Sequence, residues 1–285
     1  MHDDHMMGAF KRTECDMRWR ALIVSVIAVL CFGSVPAAAT SYSTDNSDLW
    51  GNEAESGWGI QFVQRAEILF ATLYVYNASG APVWYAAVLQ PANATTWTGD
   101  LMQTSGPWFG TTPFNPAAVG ANRVGSMSFS ATSDKTGVLS YSVNGTAVSK
   151  DISRTTIRYD NYTGDYAGMM SWTAEGCPNP ADRGVFNNRI DFSLRHTGTS
   201  LDMASQQQGN APICTSHGSY SQDGQFGNTT QVTNSCTNGT GAGTQITYYE
   251  MNISPGIVTM KFTAPSTNAG SKGCTLNGVM TGIRQ

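Results

Sequence analysis

From about residue 58 to the C-terminus, apolar and polar positions alternate in short runs separated by turn residues, which is the signature of β-strands. Residues 58–64 place Trp58, Ile60 and Phe62 on one face. Residues 67–76 place Leu69, Ala71, Leu73 and Val75 on one side and Phe70, Thr72, Tyr74 and Tyr76 on the other. The turn Asn77–Pro82 leads into a strand over Val83–Gln90. Neither of these last two strands has a charged face, so the pattern predicts that both faces are covered or that one lines a cavity. Further strands are expected at 95–103, 123–131, 136–143 and 146–154. Asn144-Gly145 between the last two is a type I′ hairpin signal, because both turn positions need positive φ.

The pattern resets between Arg154 and Asn161, and a second unit begins at Gly164. Its strands are expected at 164–172, 186–196, 199–206, 213–220, 226–236, 244–253, 257–264 and 275–284, with Ile190, Phe192 and Leu194 facing inward. No helical period intervenes. The fold class is therefore all-β: two small antiparallel meanders, each a barrel or a sandwich, over 45–158 and 160–285.

Ahead of the strands stands a leader pattern. Arg18 and Arg20 precede an apolar run, Ala21–Val35, which ends in Pro36 and Ala37-Ala38-Ala39. A basic segment, a short apolar core and small residues at a cleavage site mark a secretory signal peptide over 1–39, and Met17 begins a cleaner one than Met1 does. The run spans about 15 residues, short of the ~20 that a transmembrane helix needs. Cys31 follows Leu30 rather than a small residue, so a lipoprotein acylation site is not indicated. Export, to the periplasm or beyond the cell, is the expectation.

Cysteine usage agrees with it. Cys15 and Cys31 fall in the leader, leaving Cys177, Cys214, Cys236 and Cys274, all in the second unit. Their spacings are too long for a zinc site, and an even number in an exported chain reads as two disulfides. If the second unit closes, its first and last strands run side by side, which brings Cys177 to Cys274. Cys214 and Cys236 flank a hairpin around Gln222–Gln225 and pair across it. The alternative, 177–214 with 236–274, would count against closure.

Composition narrows the partners. Only 13% of residues are charged and the formal net charge is −4, so there is no basic footprint for nucleic acid. The mature chain has two histidines, His196 and His217, and no HExxH, G-x-S-x-G or Walker A motif. Both histidines read as solvated loop residues. Glu53 and Glu55 flank Ala54, but their spacing alone does not specify the paired carboxylates of a glycosidase. Glu55 reads instead as the cap of the turn before the first strand. Asp45, Asn46, Asp48 and Asn52, and separately Asp223 and Asn228, offer oxygen ligands for a structural calcium, though the EF-hand order is absent. No other cofactor is indicated.

The first unit is rich in aromatic residues: Trp50, Trp58, Tyr74, Tyr76, Trp84, Tyr85, Trp97 and Trp108. Large rings fill a small barrel efficiently, and the same rings can line a pocket or a flat stacking surface. Tyr74 and Tyr76 share a face with Thr72 and so suit a semi-polar cavity.

The segment Leu49-Trp50-Gly51-Asn52-Glu53-Ala54-Glu55-Ser56-Gly57-Trp58-Gly59, with Leu69–Tyr76 and Pro82-Val83-Trp84-Tyr85, resembles a family of uncharacterised exported proteobacterial proteins. That family's opening reads L-W-W-N-P-x-E-S-G-W-G, followed by a strand pair ending in P-x-W-Y. Gly51 and Glu53 depart from it. Gly273-Cys274 and Gly282-Ile283-Arg284 are similar to its ending. The resemblance implies a bacterial exported protein and supplies no activity. A looser likeness, at Gly57-Trp58-Gly59, is to calycin-type barrels such as lipocalins and avidins, and fold does not carry function. The function expected is a non-enzymatic binding module for a small apolar ligand or a surface polymer. The alternatives are a secreted glycan hydrolase using acids near Glu55 and an envelope structural or protein-interaction module.

Overall fold

A computed structural model describes residues 45–207, 209, 211–239, 241–266 and 273–285. The expected leader, 1–39, and the start at Met17 lie outside the described residues. Among the described residues no helix is long and apolar enough to cross a membrane.

The described residues include sixteen strands, which form two closed antiparallel barrels of eight, each wound in sequence order. The first comprises β1 (Asp48–Gly51), β2 (Gly59–Arg65), β3 (Ile68–Tyr76), β4 (Pro82–Pro91), β5 (Thr96–Ser105), β6 (Gly120–Ala131), β7 (Thr136–Val143) and β8 (Thr146–Arg154). It closes where Trp50 pairs with Arg154 and Gly51 with Ser153. The second comprises β9 (Gly164–Glu175), β10 (Gly184–Thr197), β11 (Ser200–Gln207), β12 (Ile213–Asp223), β13 (Phe226–Cys236), β14 (Thr244–Ser254), β15 (Ile257–Pro265) and β16 (Thr275–Arg284). It closes where β16 runs antiparallel to β9. Both lie in one compact unit.

Alternation decides what fills each interior. In the first barrel Ile60, Phe62, Leu69, Leu73, Leu89, Leu101 and Leu139 point inward and are buried with Trp50, Trp97 and Phe129. Phe129 is the hub, with ring centroids 5.2 Å from Trp50, 4.7 Å from Phe62 and 6.0 Å from Trp97. Both buried indoles keep a partner: Trp50 Nε1 donates to Asn46 O at 3.0 Å and Trp97 Nε1 to Glu67 O at 2.9 Å. Strands approach so closely at Gly125 that a Cβ there would lie 1.8 Å from the Ser142 carbonyl oxygen. The type I′ turn forms as expected, with φ of 46° at Asn144 and 86° at Gly145.

In the second barrel Tyr166 stacks on Phe192 at 5.2 Å, and Tyr162 OH donates to Met251 O at 2.9 Å. The disulfides are Cys177–Cys274, joining the end of β9 to the start of β16, and Cys214–Cys236, directly opposite on β12 and β13.

The barrels meet through a polar latch. The Arg154 guanidinium, fully buried, donates to Asp48 Oδ2 at 3.0 Å, Asp45 O at 2.6 Å and Ser47 O at 3.3 Å, while its Nε donates to Asp134 O at 2.7 Å. It lies between the rings of Trp50 and Phe226, 4.7 Å and 5.0 Å from their centroids. Asp48 Oδ2 also accepts from the backbone N–H of Gln225, on the β12–β13 hairpin, at 2.9 Å. Lys135 reaches Asp223 across the same junction.

Candidate functional site

The aromatic residues singled out by sequence divide into two sets. Apart from Trp108, which is exposed in the β5–β6 connection, Trp50, Tyr85 and Trp97 are buried core, and Trp58 is half-buried against it. Tyr74, Tyr76 and Trp84 stand on the outer wall of the first barrel. The cavity expected behind Tyr74 and Tyr76 is therefore corrected. The Leu69 face fills the interior, and its alternate, carrying Phe70, Thr72, Tyr74 and Tyr76, looks outward.

Strand register turns these positions into a surface. Tyr74 pairs directly with Trp84, Phe70 with Val88, Thr72 with Ala86 and Tyr76 with Pro82. On the other flank Val63 pairs with Phe70 and Gln61 with Thr72. Directly opposed residues share a face with Cβ atoms about 4.5–5.5 Å apart, so these pairs make cross-strand rows. Successive rows are two residues apart, about 7 Å. Tyr74 is 45% exposed and Trp84 50%. The low Thr72–Ala86 row separates the Phe70–Val88 row from the Tyr74–Trp84 row, giving a shallow trough between ridges. β3 and β4 carry no charged residue.

The rest of the outer wall has different chemistry. Over β5–β8 a shallow depression of about 750 Å³ is lined by Ser126, Ser128, Ser140, Ser142, Ser149 and Asp100. Its hydroxyls pair across strands, Ser140 with Ser149 at 3.0 Å and Ser126 with Ser142 at 3.3 Å. A second cleft, of about 600 Å³, lies at the barrel junction between the Leu49–Gly59 segment, Thr155, Tyr159 and Gln222.

Glu55 occupies neither a cap nor a buried acid site. Asn52 caps the short turn, accepting from Ala54 N at 3.0 Å. Glu55 accepts from Lys150 Nζ at 2.7 and 2.8 Å and from Trp58 Nε1 at 3.2 Å. The Lys150 ammonium holds its carboxyl below the usual range, opposite to the raised value a general acid needs. Among the other acids, Asp48 is engaged by Arg154, and Asp223 by Lys135 and by Asn228 Nδ2 at 3.1 Å. Asp45 accepts from Ser47 N at 2.8 Å, and Asn46 Nδ2 donates to Gln64 at 3.1 Å. His217 Nδ1 contacts Asp202, and both are well exposed. His196 Nε2 lies 3.0 Å from Gly198 O, with its ring 4.2 Å from that of Tyr220.

Sequence reasoning missed the Arg154 latch and the exposed Phe109 and Phe114. For the latter the signal was present: Leu101–Asn122 contains no charged residue and the segment within it reads Trp108-Phe109. Compared with family models, curated proteins and solved structures, the chain matches none. What the structure does show is the barrel class itself, two closed eight-stranded antiparallel meanders.

Proposed function

We propose that the chain is an exported, non-catalytic binding module that holds a neutral polymer, a glycan, along the outer face of β3 and β4. The observation that carries this reading is the Tyr74–Trp84 pair: two opposed, half-exposed rings on the outside of a barrel whose inside is already filled. The packed interior argues against a small apolar ligand held within the barrel. A sugar ring presents C–H groups on its faces and hydroxyls at its edge. Flat rings receive the faces, and Thr72, Gln61 and the tyrosine hydroxyls stand where the edges would lie. The lack of charge on both strands suits a polymer without charge. Export is supported by the leader pattern and by two disulfides, which persist in oxidising compartments. Kinship with the exported proteobacterial family rests on the Leu49–Gly59 motif.

The test is equilibrium binding of the purified chain to a panel of soluble and insoluble neutral glycans. Trp84→Ala and Tyr74→Ala should each weaken binding about tenfold or more, as central aromatic anchors do, with unfolding unchanged within about 0.5 kcal/mol. Binding that survives both substitutions, or none across the panel, overturns the reading. Turnover of a bound glycan that vanishes in Glu55→Gln would move the protein to the hydrolases.

A further inference from the structure

The β5–β6 connection, residues 106–119, is an exposed apolar projection that carries Phe109, the most exposed ring among the described residues, beside Trp108. Phe109 is 89% exposed and Trp108 68%, with Phe114 and Val119 also about half exposed. Large apolar groups gathered in one place mark an interaction site, whereas scattered ones need no explanation.

Local bonds shape the loop. Thr111 N donates to Trp108 O at 2.9 Å, closing a turn that presents Trp108 and Phe109 together, their centroids 5.4 Å apart. The Trp108 ring folds over Gly110, where a Cβ would lie 2.4 Å from it. Asn115 caps the following turn, accepting from Ala117 N at 3.1 Å. A projection already shaped loses little conformational freedom on docking.

Charge identifies the occupant. From Leu101 to Asn122 there is no ionisable side chain, and the bounding Asp100 and Arg123 neutralise each other at 2.6 Å. The polar side chains within the projection are Thr111, Thr112 and Asn115, which suit hydration at a headgroup level. Two exposed rings beside hydroxyls and an amide, with no charge among them, suit a water–lipid boundary, where rings enter about 5–10 Å. In a sequential antiparallel meander, alternate connections lie at the same end. The 106–119 connection is thus at the end opposite the 131–136 turn, whose Lys135 meets the second barrel. The second barrel does not cover it.

We infer that this projection is a lipid-docking tip that seats the first barrel on a bilayer surface through Trp108 and Phe109. With no cation in the loop and a net charge of −4, attraction to anionic headgroups contributes nothing, so docking rests on apolar burial. The inference does not depend on the glycan reading.

Flotation of the purified chain with phosphatidylcholine vesicles tests this, with quenching of tryptophan emission by lipids brominated high on the acyl chain as a second readout. The wild type should float and be quenched. Phe109→Asp and Trp108→Ser, both at exposed positions, should reduce partitioning about tenfold or more with the fold intact by circular dichroism. Trp84→Ala should float like the wild type. Raising salt to about 0.5 M should not release the protein, because screening removes only ionic attraction. No flotation, flotation unaffected by the tip substitutions, or flotation that requires anionic lipid and is lost in salt would each overturn the inference.

Discussion

Arg154 shows how one side chain can carry more than its share of a structure. Its guanidinium is out of water, charged, and satisfied by one carboxylate and three backbone carbonyls. Removing one member of such a pair leaves the other buried and uncompensated, so Asp48→Asn should cost about 3–5 kcal/mol in urea unfolding. Asp100→Asn, which breaks the exposed pair with Arg123, should cost less than about 1 kcal/mol. Periodicity could not reveal this pair, since an isolated Arg and Asp 106 residues apart leave no local pattern. A second residue-scale effect belongs to the buried phenols. Burial pushes Tyr220 and Tyr248 up to about 12, and Tyr162 higher still. A phenol whose folded value exceeds the unfolded value of about 10 contributes its full share below pH 10 and loses it as pH climbs toward the folded value. Melting temperature should therefore hold up to about pH 10 and fall steeply above it, and Tyr248→Phe should shallow that fall. A flat profile between about pH 10 and 12 would remove burial of these phenols as the cause.

Strand positions were legible because the period of two is local. β7, β8, β13 and β16 match the expected 136–143, 146–154, 226–236 and 275–284, and the other expected strands shift only at their ends, as at β6, which begins at Gly120. β1 escaped because its four residues are too few to show a period. The faces of β3 were harder. Leu69, Ala71 and Leu73 oppose Phe70, Tyr74 and Tyr76, and both sets are apolar, so alternation alone does not say which is inside. The lumen decides it: Trp50, Phe62, Trp97 and Phe129 already fill it, so β3 contributes the smaller Leu69, Ala71 and Leu73 inward and its own rings are left outside. That is why Tyr74 and Tyr76, expected to suit a cavity, stand on the outer wall instead. The cysteines were legible through topology, because barrel closure dictates which strands adjoin. Their separations, 97 for Cys177–Cys274 and 22 for Cys214–Cys236, also rank them. In the chain-entropy account these correspond to about 4.7 and 3.4 kcal/mol. The Cys177→Ser, Cys274→Ser double variant should thus unfold at lower urea than the Cys214→Ser, Cys236→Ser one, by about 1 kcal/mol. The reverse order would mean that native packing around the inner pair outweighs loop length.

At the scale of the whole molecule, the question is whether two barrels read from sequence as separate units behave separately. The segment between them is engaged at two residues: Thr156 Oγ1 donates to Gln222 O at 3.1 Å and accepts from Gly224 N at 3.0 Å, and Asp160 N donates to Gln222 Oε1 at 2.7 Å. Asp48 and Arg154 of the first barrel meet Gln225 and Phe226 of the second at the same hairpin. Such a junction rests the first barrel's buried Arg154–Asp48 pair against the second, so loss of the second barrel exposes that pair to water. Gly224 is the pivot. Its φ of 64° is left-handed, and a Cβ there would come within 2.1 Å of Asp48 Oδ2, a position held by Arg154. The wild type should therefore unfold in one calorimetric transition, with calorimetric and van't Hoff enthalpies equal. Gly224→Ala displaces the Asp48 carboxylate without touching either core. It should separate the melt into two transitions, the disulfide-linked barrel melting at the higher temperature. Two transitions already present in the wild type would show that the latch aligns the barrels without coupling their stability. A single lowered transition in Gly224→Ala would place the coupling in the covalent segment and its Gln222 contacts instead.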